Sequence, residues 1–140
     1  MKILLVTVLL AAVAAALAAP AAPMQKKPTQ VAPVIKVKTD QFGSILNTRG
    51  HRALYFWTEE SDLSIRCVAE CAALWPPLIV KKASAVPKRV AGLRGVLGTV
   101  RRPDGRLQVK YNGQPLYTYA HEGPNQVLCD NVGGWFVVRV

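Results

Sequence analysis

Two turn sequences placed close together constrain the fold of this 140-residue chain more than any other feature. Pro103-Asp104-Gly105 and Asn112-Gly113 each separate short runs that are rich in apolar and β-branched residues. Asn-Gly adopts the positive φ angles of a type I′ turn at little cost, so it is a strong short-range indication of a β-hairpin. The chain is therefore predicted to be mainly β, forming a small antiparallel β domain. The strands predicted on this pattern are 43–47, 53–58, 98–101, 106–111, 115–120 and 134–140.

One short helix completes the predicted domain. Residues 66–74 are the only stretch with helical character, and Trp75-Pro76-Pro77 ends it because proline cannot continue a helix. Residues 82–94 lack periodicity and are predicted to form an exposed loop.

An internal repeat divides the predicted domain into two related halves. Residues 54–60 align without gaps on residues 116–122, and both read Leu-Tyr-x-aromatic-x-x-Glu. Within a strand, the tyrosine and the aromatic residue two places later share one face and are expected to pack together. The glutamate follows the strand, where its carboxylate is expected to hold the turn; binding of a ligand is the alternative role. The motif residues are Tyr55, Trp57, Glu60, Tyr117, Tyr119 and Glu122.

The first residues have the composition of an export signal. Lys2 precedes a long apolar run that ends in Ala16-Leu17-Ala18, which matches the small-x-small pattern of a cleavage site. We predict a signal peptide at 1–18 and no integral membrane span after processing; the alternative is an uncleaved anchor, for which the run is only marginally long enough. Residues 19–39 are rich in proline and lysine and are predicted to be a basic flexible segment, followed by the folded domain at 40–140.

The chain carries a formal net charge of +10, and its basic residues are unevenly spread. They concentrate between Lys81 and Arg106, where Asp104 is the only acidic residue. Such segregation favours an anionic partner in the cell envelope; a cationic envelope protein without a specific partner is the alternative. Nucleic acid is not predicted as a partner, because export removes the protein from it and no nucleic-acid-binding motif is present. The candidate anion-binding residues are Lys81, Lys82, Lys88, Arg89, Arg101 and Arg102.

The chain contains three cysteines, Cys67, Cys71 and Cys129. Outside the cytoplasm a nearby pair is expected to be oxidised, so a disulfide is predicted between Cys67 and Cys71, with Cys129 as the odd thiol. A redox or metal-binding role for these thiols is the alternative. His121-Glu122 and Cys129-Asp130 carry ligand-type side chains, but their spacing matches no recognised site, and neither a metal nor another cofactor is predicted.

Four segments occur in the order found in one known family. They are 54–57, 67–78, 108–119 and 135–138, and the second, with its Cys-x-x-x-Cys-x-x-x-Trp-Pro-Pro pattern, is the most specific. Over about residues 43–138 the chain resembles the bacterial secreted-repeat proteins, which are predicted lipoproteins with a Tyr-x-aromatic-x-x-Asp motif. The resemblance implies a tandem pair of the motif, export and a cell-envelope location, but no established activity.

The chain departs from that family pattern in three places. Glu60 and Glu122 replace the motif aspartates, which lengthens their reach by one methylene. No cysteine precedes Cys67, so lipid attachment at the cleavage site is not expected. Cys129 is interpreted as lying outside the family pattern.

These features favour an exported protein, periplasmic or secreted, of unknown biochemical activity. The leading hypothesis is a non-enzymatic binding module for an anionic envelope component; the alternative is a periplasmic redox or metal-handling protein that uses its cysteines. An enzyme is the least favoured class. Glu60 and Glu122 offer the carboxylate pair that a hydrolase needs, but no nucleophile–base set, oxyanion motif or phosphate loop accompanies them. The sequence leaves the oligomeric state open.

Overall fold

The computed structural model describes residues 30–140. The predicted signal peptide at 1–18 and residues 19–29 of the predicted flexible segment lie outside this range. Within the described residues, no helix has both the length and the apolar character needed to cross a membrane. The secondary structure consists mainly of short antiparallel strands with one short α-helix, which confirms the predicted fold class.

The described chain contains eight strands and one α-helix. Their bounds are β1 Val34–Thr39, β2 Gly43–Thr48, β3 Tyr55–Trp57, α1 Glu70–Leu74, β4 Ile79–Val80, β5 Leu97–Arg101, β6 Leu107–Tyr111, β7 Gln114–Pro115 and β8 Trp135–Val137. We call residues 34–80 the first half and residues 97–140 the second half.

Strand β1 contradicts the prediction that residues 19–39 are flexible throughout. All six of its residues pair with β2 in antiparallel register. Ile35 and Val37 are half-buried, whereas Lys36 and Lys38 beside them are exposed. This alternation is typical of a strand with one face on the core, and the prolines that precede it hid the pattern in the sequence.

Several predicted elements are shorter in the structure, among them the helix at 66–74 and the strand at 115–120. The α-helix covers only the second part of 66–74, because Ala69 has a φ angle of 50°, in the left-handed region where a right-handed helix cannot continue. In the predicted strand 115–120, pairing with β6 stops at Pro115. Asn112 and Gly113 between β6 and β7 have φ angles of 50° and 80°, as the predicted type I′ turn requires.

Each half begins with a hairpin of the same design. Val37 lies opposite Ile45 in the β1–β2 hairpin, and Val100 lies opposite Gln108 at the same place in the β5–β6 hairpin. We refer to residues in matching places as counterparts.

Each hairpin is extended by a segment from the other half. The Leu46 N–H donates to the Val138 carbonyl, and the Val109 N–H donates to the Leu78 carbonyl, both at 2.8 Å. Because the end of each half completes the sheet of the other, the two halves are intertwined rather than placed side by side.

The two halves meet at Tyr55 and Tyr117. The Tyr55 N–H donates to the Tyr117 carbonyl at 2.8 Å, and the Tyr117 N–H donates to the Tyr55 carbonyl at 2.9 Å. A reciprocal pair of this kind is expected where a two-fold axis relates two strands. The halves are therefore related by an approximate two-fold axis that passes between the two motif tyrosines.

Candidate functional site

The motif tyrosines and glutamates form two crossed pairs at the centre of the domain. The Tyr117 hydroxyl donates to the Glu60 carboxylate at 2.7 Å, and the Tyr55 hydroxyl donates to Glu122. Both tyrosines are fully buried, and both glutamates are only 4% exposed. Each tyrosine therefore binds the glutamate of the other half, a pairing that alignment of the two repeats does not predict.

Each glutamate also binds the backbone of the segment that follows it. Glu60 Oε1 accepts from the N–H groups of Arg66 and Cys67, both at 2.6 Å. In the second half, Glu122 Oε1 accepts from the N–H of Leu128 at 2.6 Å. The carboxylates thus hold their loops through charge-assisted hydrogen bonds.

The electrostatics of the two pairs keep the tyrosines protonated. Burial raises the pKa of Tyr55 and of Tyr117, and the hydrogen-bonded carboxylate raises it further in both cases. A buried phenol with a raised pKa is a stable hydrogen-bond donor and a poor general base near neutral pH.

Aromatic rings from both halves form one row that contacts the motif tyrosines. Ring centroids are 5.4 Å apart between Trp57 and Trp135, 3.9 Å between Trp135 and Trp75, and 4.8 Å between Trp75 and Tyr119. Instead of packing on the aromatic residue two places later, each motif tyrosine packs edge-on against a tryptophan, Tyr55 against Trp75 and Tyr117 against Trp135. Trp75 and Trp135 occupy the centre of the row and are 6% exposed.

The structure confirms the disulfide between Cys67 and Cys71 and leaves Cys129 as a free thiol. Cys129 follows Glu122 by the same seven positions as Cys67 follows Glu60, so it is the counterpart of Cys67. This spacing places Cys129 within the internal repeat of the chain. Burial raises the pKa of the Cys129 thiol.

No metal centre is present among the described residues, since no three His, Cys, Asp or Glu side chains lie close enough together to hold an ion. His121 and Asp130 carry ligand-type side chains, but each contacts a neighbouring side chain instead. His121 is exposed and packs edge-on against Tyr119, while Asp130 pairs with Arg139 at 2.6 Å.

Arg102 contradicts its prediction as a surface anion-binding residue. Its side chain is 1% exposed, and it donates to Gln108 Oε1 at 2.6 Å and to the Cys67 carbonyl at 2.7 Å. Successive side chains of a strand point to opposite faces. Because the Arg101 side chain points outward, the side chain of Arg102 points into the interior. The guanidinium also approaches the Tyr117 hydroxyl at 3.4 Å.

A basic groove lies between β1 and the loop after β4. It has a volume of about 570 Å³, and its charged lining residues are Lys36, Arg49 and Arg89. Of these three residues, only Arg89 was predicted as an anion-binding residue, because Lys36 and Arg49 lie outside the basic segment 81–106. Lys36 Nζ donates to the Gly92 carbonyl at 2.8 Å, which joins the loop to β1.

The other predicted cations lie at different distances from the basic groove. Lys88 is next to Arg89 and is exposed. Lys82 lies two residues before Ser84. The backbone carbonyl of Ser84 accepts a hydrogen bond from the side chain of Gln30, which lines the groove. The Leu97 N–H binds the Lys88 carbonyl, whereas Arg101 lies at the far end of β5, roughly 13 Å along the strand. Lys81 is exposed beside Lys82.

Residues 98–139 match the family model described as a secreted repeat of unknown function. The match confirms the resemblance over this segment, which extends from β5 to just beyond β8 and covers nearly all of the second half. The family description agrees with the export predicted from the sequence. No curated protein and no solved structure matches the chain.

Proposed function

We propose that this protein is an exported, non-enzymatic binding protein, periplasmic or secreted, whose basic groove binds a phosphate-bearing component of the cell envelope. The observation that carries the proposal is the lining of the groove. Lys36, Arg49 and Arg89 line it, and no acidic side chain does so. Guanidinium groups bind phosphate oxygens in a bidentate manner, and lysine adds a point charge.

The positions of the acidic residues support the same proposal. Asp62, Asp104 and Asp130 pair with Lys110, Arg106 and Arg139 respectively. Among the described residues, no ion pair involves the three cations of the basic groove, so their charge is available to a ligand.

The burial of the motif carboxylates supports a non-enzymatic role. A hydrolase needs carboxylates that reach a substrate. Glu60 and Glu122 instead bind tyrosine hydroxyls and backbone N–H groups inside the domain, and each is only 4% exposed. We infer that both serve the fold rather than catalysis.

The redox or metal-handling alternative receives less support. Reactive thiols have a lowered pKa and are accessible. The pKa of Cys129 is raised instead, and Cys67 of the disulfide is fully buried.

Vesicle co-sedimentation with matched charge variants tests the proposal. The groove variant carries Arg49→Gln and Arg89→Gln, and the control variant loses the same charge through Arg66→Gln and Arg101→Gln. We expect the unmodified protein to bind vesicles that contain phosphatidylglycerol, and not vesicles of phosphatidylcholine alone. The groove variant should lose at least tenfold in affinity, and the control variant should lose much less. Equal losses in the two variants would show that net charge, not the groove, determines binding and would refute the proposal.

A further inference from the structure

A small cavity lies between the β1–β2 hairpin of the first half and the loop at 125–127 of the second half. Its volume is about 250 Å³, below the size of most drug-like ligand pockets. The lining residues are Val37, Lys38, Thr39, Ile45, Asn47, Asn125, Gln126 and Val127.

Asn47 gives this cavity a buried hydrogen-bond acceptor without a partner. The residue is 2% exposed, and its Nδ2 donates to the His51 carbonyl at 3.0 Å. Its Oδ1 has no hydrogen-bond partner among the described residues. Buried polar atoms are nearly always hydrogen-bonded, so an unpaired oxygen in a cavity wall marks a place for a hydrogen-bond donor.

The second half shows what occupies the matching space there. Both hairpins close with three residues between their last paired positions, Thr39 with Gly43 and Arg102 with Arg106. Thr39 is therefore the counterpart of Arg102. The Arg102 side chain runs into the interior and binds Gln108, whose counterpart is Ile45 in the cavity wall.

The short side chain of Thr39 leaves the first half without this cation. In the second half, the Arg102 guanidinium lies 3.4 Å from the Tyr117 hydroxyl, which is itself bonded to Glu60. Glu122 has no ion-pair partner among the described residues, and its buried Oε2 has no hydrogen-bond partner there. The hairpin of the first half thus lacks the cation that Arg102 supplies in the second, and two buried oxygens, Asn47 Oδ1 and Glu122 Oε2, have no hydrogen-bond partner among the described residues.

We propose that the cavity beside Thr39 and Asn47 binds a guanidinium group carried on a short aliphatic chain, in the place that Arg102 occupies in the second half. The apolar side chains of Val37, Ile45 and Val127 suit the methylene groups of such a ligand. Asn47 Oδ1 accepts from the guanidinium at the wall of the cavity. Lys38 is exposed, so its ammonium group can turn into solvent when the ligand enters.

Methyl NMR spectra of the full chain, recorded with guanidinium compounds, test this site. The probes are agmatine, as a free small molecule, and acetyl-Gly-Arg-Gly-amide, as an arginine within a peptide. Acetyl-Gly-citrulline-Gly-amide is the uncharged control of similar shape. We expect saturable shifts of the Val37, Ile45 and Val127 methyl signals with a guanidinium probe and none with the citrulline peptide. Agmatine alone would identify a free ligand as the source, and the peptide alone a protein partner. No saturable shift with either probe would refute the proposal.

Three variants separate ligand binding from loss of the fold. Thr39→Arg supplies the guanidinium from within the chain and should abolish probe binding while raising Tm. Thr39→Ser keeps the cavity open and should bind normally. Asn47→Leu removes the unpaired acceptor and should weaken binding roughly tenfold to a hundredfold, as expected for a hydrogen bond to a charged group. Unchanged binding in Thr39→Arg would show that the probes bind elsewhere. Vesicle binding by the basic groove should be the same in Asn47→Leu as in the unmodified protein, because the two sites share no residue.

Discussion

Replacing the two motif glutamates by glutamine should destabilise the protein to different extents, although the sequence repeat predicts equal effects. Glu60 accepts three hydrogen bonds, from the Tyr117 hydroxyl and from the N–H groups of Arg66 and Cys67. A hydrogen bond to a charged group contributes about 1 kcal/mol more than a neutral one. Glu60→Gln should therefore lower the free energy of unfolding by about 3 kcal/mol. It also removes the carboxylate that binds Tyr117, whose hydroxyl lies 3.4 Å from the buried Arg102 guanidinium.

Glu122→Gln should cost less, for two reasons that the structure supplies. Glu122 accepts two hydrogen bonds, from the Tyr55 hydroxyl and the Leu128 N–H. Neither glutamate forms an ion pair among the described residues, but the Tyr117 hydroxyl that binds Glu60 also lies 3.4 Å from the Arg102 guanidinium, and the Tyr55 hydroxyl that binds Glu122 has no such cation. Neutralising Glu122 therefore recovers more of the penalty for burying its charge. We expect a loss of about 1 kcal/mol, the difference between about 2 kcal/mol of weakened bonds and the recovered desolvation.

Urea and thermal unfolding of the two variants beside the unmodified protein measure this difference. For a domain of this size, 1 kcal/mol corresponds to a change in Tm of about 4 °C, so Tm should fall by about 12 °C for Glu60→Gln and about 4 °C for Glu122→Gln. Arg102→Met, alone and in the Glu60→Gln background, completes a double-mutant cycle; the double variant should lose less than the sum of the two single variants because the two charges stabilise one another. Equal shifts in the two single variants would refute the role assigned to Arg102. Unshifted melting in both would refute the structural role of the motif and favour a ligand role instead.

Two further predictions follow from the tyrosines and the disulfide. Because the pKa values of Tyr55 and Tyr117 are raised in the folded state, the unfolded chain loses these protons first as pH rises above about 10, and stability should fall there by up to about 1.4 kcal/mol per pH unit for each tyrosine. Urea midpoints measured from pH 9 to pH 12, with tyrosinate absorbance recorded in parallel, test this; a flat profile would contradict it. Reducing the Cys67–Cys71 disulfide, which closes a short loop, should cost about 2 kcal/mol, and Cys129→Ala should show the same loss on reduction. A Cys67–Cys129 linkage in non-reduced peptide maps would contradict the assigned pairing.

The parts of the fold that depend on residues close together in the sequence could be predicted from the sequence. Asn112-Gly113 carries its own turn geometry, and Cys67 and Cys71 are close in the chain, so both features were recognisable without tertiary information. The crossed tyrosine–glutamate pairs could not be predicted in this way. A tyrosine could bind the glutamate of its own half or the glutamate of the other half. Both arrangements need the same residues at the same spacing, so the sequence does not distinguish them.

The predictions about surface residues are wrong where they rest on the density of basic residues instead of on the alternation of side chains along a strand. Arg102 belongs to a basic run, and that composition suggested a surface patch, whereas the alternation set by the exposed Arg101 places it inside. The lysines of β1 favoured a flexible tail in the same way, although they alternate with the half-buried Ile35 and Val37. Lys36 and Arg49 were missed because they are far in sequence from Arg89 and meet it only when the first half folds onto the loop after β4.

The intertwined arrangement also determines what the folding unit is. The segment 98–139 that matches the family model contains Tyr117. The carboxylate that accepts the hydrogen bond from the Tyr117 hydroxyl belongs to Glu60, in the other half. The same segment contains Val109, whose N–H needs the Leu78 carbonyl. A single repeat would therefore leave a buried hydroxyl and a strand edge unpaired, which is costly in a domain this small. One sequence repeat is thus half of a folding unit, and the first half completes the second even though the family match stops at its boundary.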